Sequence, residues 1–196
     1  MTDGEGDGGR APQRRRADAV RNEKTLLDAA AAAFVASGVE APVRDIAARA
    51  GVGTGTIYRH FPTRADLIIA VYRHQVDACA AAGPALLASS ASPHAALGRW
   101  IDLFVDFLVT KRGLAGVLRS DDAGFGTLHA YFLDRLVPVC AHLLDAAAEA
   151  GQVREGLTAY ELMRGVGNLC IGADNDPLYD ARRLVGLLIA GLVERD

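Results

Sequence analysis

The chain has 196 residues, 51% of them apolar, which is enough for one large domain or two small ones and for a buried core. Its net charge of −3 argues, taken alone, against a nucleic-acid partner. Its longest apolar run, Leu184–Val193, falls far short of the ~20 residues of a membrane span.

In chain order, Met1–Ala17 is glycine-rich and charged, with nothing to bury, and is expected to be disordered. It has no apolar segment of the kind a signal peptide carries, so the expected location is cytoplasmic. Its basic end, Arg14, Arg15 and Arg16, reads either as an arm that reaches phosphates or as a solvated tail. Asp18–Ser37 is predicted as helix one, with Leu27, Ala30, Ala31, Phe34 and Val35 as its buried stripe and Gly38 as its stop. Val43–Ala50 (VRDIAARA) is a short amphipathic helix with Ile46 and Ala47 on one face and Arg44 on another, its first position given to Pro42. Gly51 follows where a left-handed backbone is needed, and Thr54 stands where a cap belongs.

The next helix is too short to persist alone and must be clamped by Ile57 and Phe61, four residues apart. That leaves Gly55, Thr56, Tyr58, Arg59 and His60 outward. Gly55 admits close backbone approach, Thr56 can meet a thymine methyl or a phosphate, and Tyr58 and His60 can donate to phosphate oxygens. Two short helices joined by a glycine turn are the sequence form of a helix-turn-helix, here 43–61. The charge distribution agrees: between Arg10 and Tyr72 ten cationic side chains face six anionic ones, a basic head on an acidic remainder. The competing reading is a small core helix with Tyr58 and His60 half-buried.

Ile46–Leu67, IAARAGVGTGTIYRHFPTRADL, resembles the TetR family of one-component transcriptional regulators. The resemblance implies a DNA-binding domain over 18–72. It carries Arg44 onto a position reaching bases or phosphates, and Thr54, Gly55 and Thr56 onto the base-facing start of the recognition helix. Tyr58 and His60 fall on phosphate anchors, and Arg64 on a phosphate-holding cation. With Arg59 and Arg14–Arg16 these are the candidate DNA contacts. Few of them are base-reading side chains, so the operator sequence is not legible.

Beyond Pro62, Thr63 caps a fourth helix from Arg64 to about Ala82, ended by Gly83–Pro84. His94–Lys111, a short helix Gly113–Ser120, a loop Asp121–Gly126, and Thr127–Ala150 with a kink near Pro138 follow. A helix from Thr158 or Ala159 to Ala173 precedes a last one capped by Asp176–Pro177 and running to about Glu194. Leu184–Val193 is apolar on every side, and Gly165, Gly167 and Gly172 permit close helix approach. The last two helices are therefore predicted to form a homodimer interface through Gly165, Leu169, Leu184, Leu188, Gly191 and Leu192, against the alternative of an internal terminal helix. The fold class is all-α, about nine helices, with a three-helix head and a helical bundle over 73–196.

Trp100, Phe104, Phe107, Phe125, His129 and Phe132 read individually as core. The resemblance implies a small-molecule cavity among them, with His129 or His142 orienting the ligand. Cys79, Cys140 and Cys170 lie far apart in apolar helices and read as buried, reduced thiols. No cofactor, metal site or catalytic motif is expected. The function implied by the resemblance is a ligand-responsive regulator, a repressor by family analogy, that binds a palindromic double-stranded DNA operator as a dimer. The alternative is a helical small-molecule-binding protein that does not bind DNA by itself.

Overall fold

The computed structural model describes residues 10–118, 122–171, 176 and 178–193, with side chains described for 21–108, 126–171, 176 and 178–193. Among the described residues all regular structure is α-helix: α1 (Arg10–Ser37), α2 (Val43–Ala50), α3 (Thr54–His60), α4 (Arg64–Ser89), α5 (Pro93–Leu118), α6 (Asp122–Glu149), α7 (Ala159–Cys170) and α8 (Ala181–Ala190). The chain divides into two compact units, one ending at Val71 and one beginning at Tyr72.

The first unit closes on Leu26, Ala30, Phe34, Ile46, Ile57, Phe61, Leu67 and Ile68, all buried. Val35, expected in the α1 stripe, is 60% exposed, because the stripe runs through 26, 27, 30, 31, 33 and 34 and turns Val35 away. α1 also begins earlier than the composition suggests. Arg10–Ala17, expected to be disordered, are helical, since extending an existing helix by alanine, glutamine and arginine gains one bond per residue fixed. Gly38 ends α1 at φ 73° as anticipated.

The second unit packs α5, α6 and α7 around Trp100, Ile101, Phe104, Leu136, Cys140 and Leu143. Among the described residues of the whole chain there are eight helices, against the nine expected. The break at Gly83–Pro84 does not occur, and α4 continues to Ser89 with Pro84 inside it. Packing explains why: a Cβ at Gly83 would stand 2.3 Å from the Val139 side chain, so the glycine admits α6 against α4. One turn earlier, the Trp100 indole donates to the Cys79 carbonyl at 2.9 Å, beside the backbone ladder that the proline interrupts. The short helix after Lys111 is the continuation of α5, since neither a proline nor a cap intervenes before Leu118. The predicted loop Asp121–Gly126 is helical from Asp122, because two glycines cost only about 1 kcal/mol each inside a helix that is otherwise supported.

α7 starts on a capping box: the Glu161 N–H donates to the Thr158 hydroxyl at 3.2 Å while the Thr158 N–H donates to the Glu161 carboxylate at 3.0 Å. The Thr158 hydroxyl, donating to the same carboxylate at 2.7 Å, and after it the Thr158 N–H hold the Glu161 carboxyl below the usual carboxylate range. The cap of the last helix is Asp180, not Asp176. Asp176 instead accepts from the Leu178 N–H, and Tyr179 donates its hydroxyl to the Leu169 carbonyl at 2.7 Å. Asp176 and residues 178–180 are non-helical, and α8 begins at Ala181. α8 ends at Ala190, capped by Gly191, short of the expected end near Glu194.

Candidate nucleic-acid interface and body cavity

The turn between α2 and α3 forms as its residues dictate. Gly51 adopts φ 68°, its N–H meets the Ala48 carbonyl at 3.3 Å, and the Val52 N–H meets the Ala47 carbonyl at 3.0 Å. This paired closure satisfies two carbonyls that a helix end otherwise leaves bare. Both caps differ by one position from the expectation. Pro42 is the N-cap of α2 rather than its first residue, and Gly53 rather than Thr54 precedes α3, with no side-chain cap on either helix. Both capping residues are extended, as a cap requires. Thr54 is thereby the first helical residue and stays exposed.

α3 has seven residues and buries one of them, Ile57. Phe61, directly after it, is buried as its partner. Thr54, Gly55, Tyr58, Arg59 and His60 are exposed and Thr56 is half-buried. Tyr58 is 54% exposed, so the core reading of that tyrosine fails. Arg44 on α2 is also exposed, its guanidinium 3.4 Å from the Asp45 carboxylate. Arg14, Arg15 and Arg16 lie on the first turns of α1, their side chains outside the described residues.

Arg64 behaves differently from the other cations. Its guanidinium donates to the Val39 carbonyl and, at 2.8 Å, to the Ala41 carbonyl, and it lies 5.9 Å from the centre of the Phe34 ring. The side chain is 29% exposed. It bonds the α1–α2 connection instead of standing free for a phosphate. Sequence reading missed this because the two carbonyls are 25 and 23 residues distant in the chain.

In the second unit, the predicted aromatic residues separate into two groups. Trp100 is fully buried, stacked on Phe104 at 5.8 Å, and Phe107 meets Tyr72 edge-on at 5.4 Å. These two are core. Phe104, His129 and Phe132 line a cavity of about 270 Å³, with His129 stacked on Phe132 at 5.8 Å. The Phe125 side chain lies outside the described residues, and His142 is exposed and away from the cavity. Leu108 and Leu133 complete the α5 and α6 walls. The remaining wall is α7, through Tyr160, Met163, Arg164, Gly167 and Asn168, continued by Ile171. These residues were not anticipated. Their spacing of three and four marks one side of α7, but that helix reads from sequence as an interface element.

The three cysteines are buried and none is in a disulfide. Burial raises Cys79 and Cys140 to about 12, which suppresses the reactive thiolate. Of the residues named for a subunit interface, Gly165, Leu169, Leu184 and Leu188 are half-buried and Gly191 is exposed. Leu192 is 7% exposed within its own chain, and its carbonyl accepts from the Arg154 N–H at 3.1 Å. Leu187, not named, is 58% exposed on the same helix.

Comparison with known proteins gives consistent matches. The description of bacterial regulatory proteins of the TetR family matches residues 26–71, and that of the C-terminal domain of SbtR-like transcriptional regulators matches residues 92–194. A crystal structure of a TetR transcriptional regulator from Streptomyces coelicolor is 33% identical with TM-score 0.76, covering 89% of this chain and 99% of that one. The TetR transcription regulatory protein from Mycobacterium vanbaalenii is 32% identical with TM-score 0.68, covering 91% and 99%. The HTH-type transcriptional repressor LfrR of Mycolicibacterium smegmatis is 38% identical over 86 residues, 44% of this chain and 45% of that protein, so the match spans about half of that relative.

Proposed function

The chain belongs to the TetR family of bacterial regulatory proteins, and on that premise we propose that it is a cytoplasmic repressor that binds a palindromic operator as a dimer and is controlled by a small molecule. The observation that carries the DNA reading is α3: a seven-residue helix burying only Ile57 and leaving hydroxyl, phenol, imidazole and guanidinium groups uncovered. A helix so short retains one buried residue because it is held from one side and used from the other.

In this reading Thr54, Gly55 and Thr56 face base edges, while Tyr58, Arg59 and His60 hold phosphates on the same groove. Arg44 and the Arg14–Arg16 run add phosphate contacts. α7 and α8 form the two-fold contact through Gly165, Leu169, Leu184 and Leu188, extended by the exposed Leu187, which supports the reading because a large apolar side chain is costly to leave in water. The effector occupies the cavity between α5, α6 and α7, and the protein performs no catalysis.

Selection of a random duplex library on the purified protein, followed by sequencing, tests the operator. A two-fold palindrome is the expected outcome. No enrichment from a protein that is dimeric in solution would favour a helical small-molecule binder without DNA activity of its own. Sedimentation at micromolar concentration tests the dimer, and a monomer there would remove α7 and α8 as its interface.

A further inference from the structure

The cavity has walls of one kind and an edge of another. Phe104, Phe132, Leu133 and Met163 make its interior apolar. Tyr160, Arg164 and Asn168, at intervals of four along α7, bring a phenol, a guanidinium and an amide to one side. All three are exposed, and none takes a hydrogen bond or ion pair from the described residues. Among the described lining residues none is Asp or Glu, and Arg164 is the one arginine or lysine. The nearest acid in sequence, Glu161, accepts from the Thr158 N–H and hydroxyl at 3.0 and 2.7 Å and is committed to the helix cap.

We propose that the cavity takes an organic anion: an apolar, ring-bearing body seated against Phe104 and Phe132, ending in a carboxylate that meets Arg164 and Asn168. This rests on reading the cavity as the effector site. The planar guanidinium fork matches a carboxylate with two parallel N–H donors, and the Asn168 amide and Tyr160 hydroxyl supply further donors to the same end. The apolar interior excludes a ligand charged throughout, since burying a second unpaired charge there would be costly. A cationic ligand meets like charge at Arg164.

Calorimetric titration of the full-length protein with phenylbutyrate, phenylbutanol and phenylbutylamine separates these chemistries on one apolar body. The acid binds about tenfold more tightly than the alcohol, the difference expected of one exposed charge-assisted contact, and the amine binds weakest. Arg164→Gln removes the preference for the acid and leaves the alcohol unchanged. Gly167→Leu, whose Cβ has nothing within 4 Å, extends a side chain into the cavity and weakens acid and alcohol together while favouring the helix. Equal or tighter binding of the alcohol or amine, or an acid preference that survives Arg164→Gln, overturns the anion proposal and leaves the cavity as a site. Binding of all three that is indifferent to Gly167→Leu, or no binding by any at millimolar concentration, overturns the cavity as the effector site itself.

Discussion

α3 and α7 each leave one side uncovered, and the chemistry of those sides differs. α3 exposes small, polar and cationic groups around a single buried isoleucine. α7 buries Ala159, Leu162, Met163, Val166 and Cys170, a full apolar stripe, and only its flanks are open. One flank carries Tyr160, Arg164 and Asn168 over a cavity. A helix that reads a rigid polar surface needs little of its own core, whereas a helix that walls a ligand site must be anchored while one side stays accessible. The same exposure therefore has different meanings, and what lies beneath the helix decides which applies.

Removing the anchor of α3 breaks the contrast most severely. Ile57→Ala is expected to cost about 2–5 kcal/mol, the usual penalty for truncating a buried aliphatic side chain, and to abolish duplex binding. Urea unfolding followed by circular dichroism, with a binding titration alongside, measures both. An Ile57→Ala protein that binds DNA normally would mean that α3 is held by something other than its one buried contact.

Arg64 and Arg44 sharpen the comparison within the head. Arg64→Met leaves two carbonyls of the α1–α2 connection without their charged donor, at a cost of about 2 kcal/mol, and lowers affinity for all duplexes without changing its salt dependence. Arg44→Ala costs almost no stability but lowers the slope of log affinity against log salt by about 1. A reduced slope in Arg64→Met would restore it as a phosphate contact.

At the start of α7, Thr158→Ala removes the capping box and is expected to destabilise the body by about 1 kcal/mol. The effect has a pH signature. The Glu161 carboxyl lies below its ordinary range in the folded chain, so its stabilisation is present above that range and fades as pH falls through the folded value. Thermal unfolding of both proteins across acid pH should converge as Glu161 is protonated. Smallest at neutral pH is the effect of the thiols. With Cys79 and Cys140 raised from 9.0 to about 12, their burial stabilises the fold fully below 9 and progressively less as pH rises from 9 towards 12. Both should resist alkylation at neutral pH until the chain is unfolded.

The helix-turn-helix was legible because its determinants are local. Gly51 is required where one helix must end in a left-handed residue, and Ile57 and Phe61 stand one turn apart, so both could be placed without knowing any distant contact. Cap positions were off by one, since proline, glycine and threonine are each acceptable at adjacent positions of a helix start. In the body the local signals misled: Gly83–Pro84 looks like a helix end, yet the glycine serves the approach of Val139 and the helix continues.

By itself, then, the amino-acid order determined an all-helical chain, a basic head, the α2–α3 turn and the outward set on α3, all set by interactions within a few residues. Tertiary structure alone decided that Arg64 turns to Val39 and Ala41, that Trp100 and Phe107 are core while Phe104 and Phe132 line a cavity, and that one side of α7 completes it. Periodicity gives the faces of a helix. The rotation of each helix against its neighbours, which depends on how side chains from distant segments fill a shared volume, decides what each face meets.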